Sequence, residues 1–231
     1  MTLYDNYFEQ LQKSFMSLPR SLGRNWLKTH QHPKCIYDLI AKLPKGAQVL
    51  DVGCGPGNTL TLFQKIHPGV NFWGTDLYLS KQNETNDSIQ IVQADFTNNI
   101  PFKKESFDLV TCYFVLEHIE TKDIDKFCNN LLSVIKPGGH IFLVFPNERS
   151  LLLGFYDDPT HIRPYSVDAV NKLMIQNNVN HVKSGFDRSF KILLLSPFYH
   201  LLSIFKKDPA KINFFLIHLV GANSFYLGRK I

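Results

Sequence analysis

The sequence predicts an α/β protein built on a mostly parallel sheet with helices on both faces. Three observations carry that prediction. Short apolar runs alternate with segments of helical periodicity, the pattern that lays parallel strands and their crossover helices into one sheet. The first run ends in VLDVGCGPGNTL (49–60), where Gly53, Gly55 and Gly57 interrupt the chain at alternate positions. Each of the first three runs also ends in an acid, at Asp51, Asp76 and Asp95.

The elements follow in order. Residues 33–43 (HPKCIYDLIAK) read as a short helix, with Pro33 suited to its first turn. AQVLDVG, from Ala47, is a continuous apolar run too short for a helix, and it fits a strand buried on both faces. Asn58 to Ile66 reads as a helix stopped by Pro68 and Gly69. VNFWGTD (70–76), IQIVQAD (89–95) and SFDLVTCYF (106–114) are the second, third and fourth strands. Thr121 is expected to cap a helix whose apolar face is Ile124, Phe127, Cys128, Leu131, Leu132 and Ile135, ending at KPGG. HIFLVFP (140–146) is the fifth strand. Ser166 caps a further helix with Val167, Val170, Leu173 and Met174 on its buried face. Residues 1–32 read as an N-terminal helical cap of uncertain role.

The bulk composition fits one sizeable domain over 1–231. The 231 residues are 44% hydrophobic and 19% charged, which describes a chain with a packed core rather than a disordered one. Four cysteines (Cys35, Cys54, Cys112 and Cys128) show no C-x-x-C spacing, so neither a zinc site nor a disulfide frame is expected. The start, MTLYDNYFEQ, lacks the basic and apolar regions of a signal peptide. No apolar run reaches the roughly 18 residues that would suggest a membrane span. A cytoplasmic protein is the expectation. The net charge of +5 permits an anionic partner without demanding one.

In open α/β sheets a ligand lies across the carboxyl ends of the strands. Here those ends carry three glycines and three acids. Glycine allows positive φ and lets a ligand approach bare backbone. Asp76, one strand-helix-strand unit beyond Asp51, stands where a carboxylate can accept both hydroxyls of a ribose. Asp95 is placed to accept from an exocyclic adenine amine, and the Phe96 N–H to donate to a ring nitrogen. Three acids favour a ligand that carries positive charge, which describes a sulfonium better than a pyrophosphate. The spacing agrees: a dinucleotide loop, G-x-G-x-x-G, needs its last glycine at 58, and position 58 is Asn.

With these residues in view, the chain resembles a class I S-adenosylmethionine-dependent methyltransferase. The matching stretches are VLDVGCGPG (49–57), GTDLY (74–78), QADFTNNIPFKKESFDLV (93–110), VLEHI (115–119) and LLSVIKPGGHIFLVFPN (131–147). The resemblance implies a Rossmann-like seven-stranded sheet, order 3-2-1-4-5-7-6, with the seventh strand antiparallel. NSFYLGRKI would then be the seventh strand and HVKSGFDRSFK (181–191) the sixth. It also implies the binding residues for S-adenosylmethionine, and for its product S-adenosylhomocysteine. Asp51 with Gly53, Cys54, Gly55 and Gly57 would border the methionine end. Asp76 and Leu77 would hold the ribose, Asp95 and Phe96 the adenine. Cys112 and Tyr113 would line the sulfonium side.

Methyl transfer is an in-line displacement, and a base is needed only where the acceptor is protonated. Glu117, His118 and His161 are the catalytic candidates. His118 resembles the histidine of an L-E-H-[IV] motif found in small-molecule O-methyltransferases, including those of ubiquinone biosynthesis; a local bracing role is the alternative. Some of those relatives carry a further Glu, three residues before the E-H pair, implicated in a metal site. Here that position is Phe114, so no metal is expected. The segment YDDPTHIRPYS (156–166) resembles the border of the acceptor pocket. Its clustered polar residues Asp157, Asp158, His161, Arg163 and Tyr165 could orient a polar substrate. Tyr156, His161, Arg163 and Tyr165 are the substrate-binding candidates, with Arg163 suited to a carboxylate or phosphate; a solvated loop leading to the Ser166 cap is the alternative.

Between strands six and seven lies an apolar insert, 193–221, that reads as a helical hairpin. Ser196–Pro197 starts one helix, with Phe198, Leu201, Leu202 and Phe205 on a face, and Asp208–Pro209 starts the other. As a lid it would suit an apolar or lipid-linked acceptor. It could instead form a homodimer contact, lie on a membrane surface, or simply enlarge the core. The expected function is therefore methyl transfer to a small or lipid-linked acceptor, at oxygen. Cys112-Tyr113-Phe114-Val115 lacks the N-P-P-[YF] motif of amino-methylating nucleic-acid enzymes, and no Pro-Cys pair offers a nucleophile for cytosine. Nucleic acid is thus not the expected partner, although a nucleic-acid methyltransferase and a non-catalytic binding homologue stand as alternatives.

Overall fold

Strand β1 (Gln48–Val52) forms the middle of the sheet because both of its faces are apolar: Val49 and Leu50, consecutive and therefore opposed, are fully buried. It pairs in parallel with β2 (Asn71–Asp76) on one side and β4 (Phe107–Tyr113) on the other. β3 (Ile89–Gln93) extends the β2 edge, and β5 (Ile135–Pro146) lies beyond β4. β7 (Asn223–Lys230) runs antiparallel to both β5 and β6 (Val179–Phe186). The order is 3-2-1-4-5-7-6, as the resemblance implies. The computed structural model describes residues 33–78, 89–98, 100–153, 155–186 and 223–231, and these belong, apart from Pro33, to one compact unit, Lys34–Ile231. The N-terminal cap (1–32) and the apolar insert (193–221) lie outside the described residues.

Strand alternation divides the core into two layers. Leu50, Val110, Ile141, Leu143 and Tyr226 join one cluster with Phe127 and Leu131 of helix α3 (Ile124–Ser133) and with Val170 and Met174 of α4 (Val167–Gln176). Val49, Leu109, Phe142, Val144 and Phe225 join the other, with Ile36 and Ile40 of α1 (Lys34–Lys42) and Leu60 and Phe63 of α2 (Asn58–Ile66). Each fully buried Leu, Ile or Phe contributes roughly 1.5–3 kcal/mol relative to exposure. That reward is what holds helices against both faces.

Three boundaries differ from expectation. Thr121 does not cap α3; it opens a 3₁₀ turn, Thr121–Asp123, and α3 follows from Ile124 with no side-chain cap. KPGG does not stop that helix either but lies inside β5. The helix ends at Ser133 because the chain entering β4 takes its terminal carbonyls: Glu105 N–H donates to Ser133 O at 2.9 Å, Ser106 and Phe107 to Val134 O at 2.8 and 2.9 Å. Gly139 is then needed within the strand, since a Cβ there would meet Ile135 Cγ2 at 2.8 Å and Asp108 O at 3.1 Å. β6 starts at Val179, two residues before the expected stretch, and its described part ends at Phe186. The Ser166 cap is present, its hydroxyl accepting from Ala169 N–H at 3.1 Å.

Candidate active site

The turn after β1 is pinned to β2, because Gly53 and Cys54 N–H both donate to Thr75 O, at 2.8 and 2.9 Å. Gly53, Gly55 and Gly57 have φ of 75°, 51° and 82°, a region that side chains rarely occupy. Their surroundings differ. A Cβ on Gly53 would run into Val115 Cγ2, so the glycine turn and the chain after β4 are packed directly together. A Cβ on Gly55 would meet nothing within 4 Å, which leaves one face of the turn open. Asp76 joins this turn through its carboxylate, Oδ2 accepting from Gly55 N–H at 2.8 Å and Oδ1 from Tyr78 N–H at 3.1 Å. Leu77 beside it is 48% exposed.

The other two acids are held differently. Asp51 is buried, and Thr111 Oγ1 donates to its Oδ1 at 2.7 Å. Burial pushes its carboxyl up to about 7; the Thr111 bond opposes this and the Asp76 charge adds to it. Asp95 caps its own turn: Thr97 N–H and Oγ1 donate to Oδ1 at 2.8 and 2.6 Å, and Asn98 Nδ2 to Oδ2 at 2.6 Å. Burial alone would raise the Asp95 carboxyl, but these bonds and Lys126 outweigh it and hold it below the ordinary range. Phe96 is buried in the core, its carbonyl accepting from Asn130 Nδ2 at 2.7 Å. Cys54 and Cys112 are buried thiols pushed far up, first by burial and then by the charge of Asp51. Tyr113 packs on Phe142 with ring centroids 5.7 Å apart. All four cysteines are free.

Beyond β4 the backbone turns sharply at Phe114, whose φ is 55° and which is 44% exposed. A 3₁₀ turn, Leu116–His118, follows. The segment 155–165 returns over it, tied down by Ile162 N–H donating to Glu117 O at 2.7 Å. That return brings three distant residues together: one nitrogen from each of His118 and His161 and one Glu117 oxygen lie within 4.8 Å of one another. Among the described residues it is the one grouping of His, Cys and acidic side chains with the spacing to share a proton, a hydroxyl or a cation. Neither Glu117 oxygen has a hydrogen-bonding partner among the described residues. Burial pushes the Glu117 carboxyl up to about 8, its own backbone N–H opposing and Asp158 adding. The His118 ring stands 4.9 Å from that of His161, and His161 stacks on Phe155 at 4.5 Å. Burial, and after it His161, hold the His118 pKa below the ordinary imidazole value.

The remaining candidates sit around this group without joining it. Arg163 lies over the Tyr165 ring, 4.6 Å from its centroid, and Tyr165 is buried. Tyr156 is 62% exposed and meets Phe155 edge to face. Two participants were not singled out from sequence. Thr111 bonds Asp51 only because β4 pairs Asp51 with Thr111 in register, and Thr160 reaches His118 across 42 positions of chain.

With this geometry in place, residues 28–184 match a family model described as a methyltransferase domain. The chain belongs to the methyltransferase domain family. As a class I methyltransferase domain it takes S-adenosylmethionine as cofactor. It is 26% identical over 170 residues to a tRNA N(3)-cytidine methyltransferase of Xenopus tropicalis, a match covering 63% of this chain and 50% of that protein. It is 28% identical over 103 residues to the ubiquinone biosynthesis O-methyltransferase of Vibrio atlanticus, covering 42% of each. The chain thus spans half or less of the length of these relatives. In fold it is similar to a SAM-dependent methyltransferase of Archaeoglobus fulgidus, with a TM-score of 0.65 at 19% identity, covering 97% of this methyltransferase domain and 100% of that chain. Small-molecule and tRNA enzymes both stand among the relatives, so the likeness leaves the acceptor class open.

Proposed function

We propose that this chain transfers a methyl group from S-adenosylmethionine to an oxygen of a small or lipid-linked acceptor. The convergence of Glu117, His118 and His161 beside the glycine turn supports this reading. A hydroxyl acceptor is protonated at neutral pH, and the two imidazoles can take its proton, while burial keeps the Glu117 carboxyl beside them in its protonated form. S-adenosylmethionine supplies a methyl group on a positively charged sulfur, open to displacement by an oxygen lone pair. The open face at Gly55 and the acids Asp51 and Asp76 fit such a cationic group.

In this reading Asp51, Gly53, Cys54, Gly55 and Gly57 border the methionine end, and Asp76 and Leu77 the ribose. Asp95 and Phe96 border the adenine, and Cys112 and Tyr113 the sulfonium side. His118 receives the acceptor's proton, with His161 and the protonated Glu117 completing the catalytic group. Arg163, Tyr165 and Tyr156 orient the acceptor, the guanidinium suiting an anionic group. The whole chain, 1–231, acts as one domain in the cytoplasm. The apolar sequence of 193–221, expected from its pattern to form a helical hairpin, is the reason for including lipid-linked acceptors, and for peripheral membrane or homodimer contact. No described helix is long and apolar enough to cross a membrane.

The test is incubation of the full chain with methyl-labelled S-adenosylmethionine and a cell extract, afterwards separated into lipid, small-molecule and RNA fractions. Label in the lipid or small-molecule fraction that survives mild alkali, as an ether does, supports the reading. Label in RNA favours the tRNA relatives' chemistry. Binding of the cofactor without any label transferred favours a non-catalytic homologue.

A further inference from the structure

The hydrogen bonds around His118 determine which of its nitrogens carries the proton. Asp158 Oδ1 accepts Thr160 N–H at 2.9 Å and faces Thr160 Oγ1 at 2.6 Å. An oxygen already accepting from an N–H is an acceptor, so the hydroxyl proton of Thr160 points at Asp158. Thr160 Oγ1 then offers only lone pairs to His118 Nδ1, which it meets at 3.0 Å. The Thr160 carbonyl, 3.2 Å from the same nitrogen, also only accepts. His118 Nδ1 must therefore be the protonated nitrogen, and Nε2 carries the lone pair. His161 is set the same way, with its Nδ1 2.6 Å from the Phe155 carbonyl.

We propose that Asp158 and Thr160 are positioning residues, a short relay that fixes His118 as the Nδ1–H tautomer so that its Nε2 lone pair receives the acceptor's proton. The proton then leaves the acceptor oxygen for Nε2 as that oxygen takes the methyl group. The sulfur–methyl bond breaks, its electron pair stays on the sulfur of S-adenosylhomocysteine, and the positive charge passes from the sulfonium to an imidazolium whose Nδ1–H still meets Thr160. This role for Nε2 rests on the methyl-transfer reading above. The groups facing His118 are suited to the step: it is neutral at rest, because burial and His161 disfavour its charge, while Asp158 and the Thr160 carbonyl favour the charged form once the proton arrives. Among the described residues, Glu117, on the same turn, and His161 also face it. Asp158 is itself nearly buried, and its Oδ2 stands 3.8 Å from His161 Nε2. One carboxylate thus lies near both imidazoles, reaching the Nδ1 side of His118 through Thr160 and facing the Nε2 side of His161.

The experiment needs no identified acceptor. In the full chain labelled with ¹⁵N-histidine, long-range ¹H–¹⁵N spectra distinguish Nδ1–H from Nε2–H rings, and His118→Gln assigns the signal. His118 is expected as Nδ1–H near pH 7.5. Thr160→Val should lower its Nδ1–H to Nε2–H ratio about fivefold, the size of one lost hydrogen bond, and Thr160→Ser should restore it. Affinity for S-adenosylmethionine should be unchanged in both variants, which shows that the fold survives. Label transfer to the alkali-stable product should fall with Thr160→Val in turnover rather than in cofactor affinity, and recover with Thr160→Ser. An Nε2–H ring in the native chain, or a ratio unmoved by Thr160→Val, overturns the proposal. So does transfer abolished by a chelator and restored by a divalent cation, since an ion would then stand where the proton is placed. Nδ1–H rings in a chain that methylates nothing would sink the methyl-transfer reading and the role of Nε2 while leaving the tautomer relay standing, so the two failures are told apart.

Discussion

Thr111 Oγ1 donates to Asp51 Oδ1 at 2.7 Å inside the sheet, where neither residue is exposed to solvent. The pair sits at the carboxyl end of β1 and ties that strand to β4. Burying an acid there has a cost that depends on pH.

Burial keeps Asp51 protonated in the folded chain up to about pH 7, against an ordinary carboxyl value of 3.8. Its folded pKa is raised, so its contribution to stability is complete below about pH 4 and is lost as pH rises through 7. The whole change is on the order of 4 kcal/mol. Asp51→Asn, which keeps an acceptor for Thr111, should flatten that slope. Urea unfolding of both chains at pH 5 and pH 8 checks it, and equal pH slopes would refute it.

Gly53 and Gly55 should respond oppositely to alanine. Gly53→Ala meets Val115 and a positive φ together, so loss of stability should dominate, at about 2–4 kcal/mol, partly recovered by Val115→Ala. Gly55→Ala has open space around it and should cost only about 1 kcal/mol through its backbone. Its Cβ should nonetheless weaken S-adenosylmethionine binding by at least about tenfold, because it fills the open face. Thermal unfolding and calorimetric titration separate the two effects.

Asp76→Ala removes the acceptor for Gly55 and Tyr78 N–H together with the proposed ribose ligand. Calorimetry should show S-adenosylmethionine and S-adenosylhomocysteine binding weakened by about 10- to 100-fold, the size of one charged hydrogen-bonding group, with NAD binding to neither chain. Asp95→Ala should weaken binding less, because the Asp95 carboxylate accepts three bonds within its own turn, from Thr97 N–H, Thr97 Oγ1 and Asn98 Nδ2, whereas Asp76 accepts two and holds the glycine turn itself. A larger loss at Asp95 than at Asp76 would reverse the assignment of the two acids.

Ser166→Ala removes the single side-chain cap of α4. Stability should fall by about 1 kcal/mol with S-adenosylmethionine affinity unchanged. A loss of affinity in this variant would mean that α4 communicates with the site.

The sequence by itself determined most of the elements and the strand ends at which the glycine turn and the acids stand. Strand and helix periodicity, the glycine turn at 53–57 and the acids at 51, 76 and 95 are local patterns, each set within a few residues by backbone sterics and alternating burial. The α2 boundaries and the Ser166 cap could be read for the same reason. What lay beyond reading is whatever one segment does to another. α3 ends at Ser133 because the chain entering β4 takes its carbonyls, and KPGG becomes strand because Asp108 lies across from it. Thr111 becomes the partner of Asp51 only through parallel register. The tertiary structure alone decided that Glu117, His118 and His161 meet, and that Thr160, held by Asp158, reaches back to one imidazole nitrogen. Hydrogen bonds of that kind span some forty residues of chain, and they exist only once the sheet has brought the carboxyl ends of its strands together.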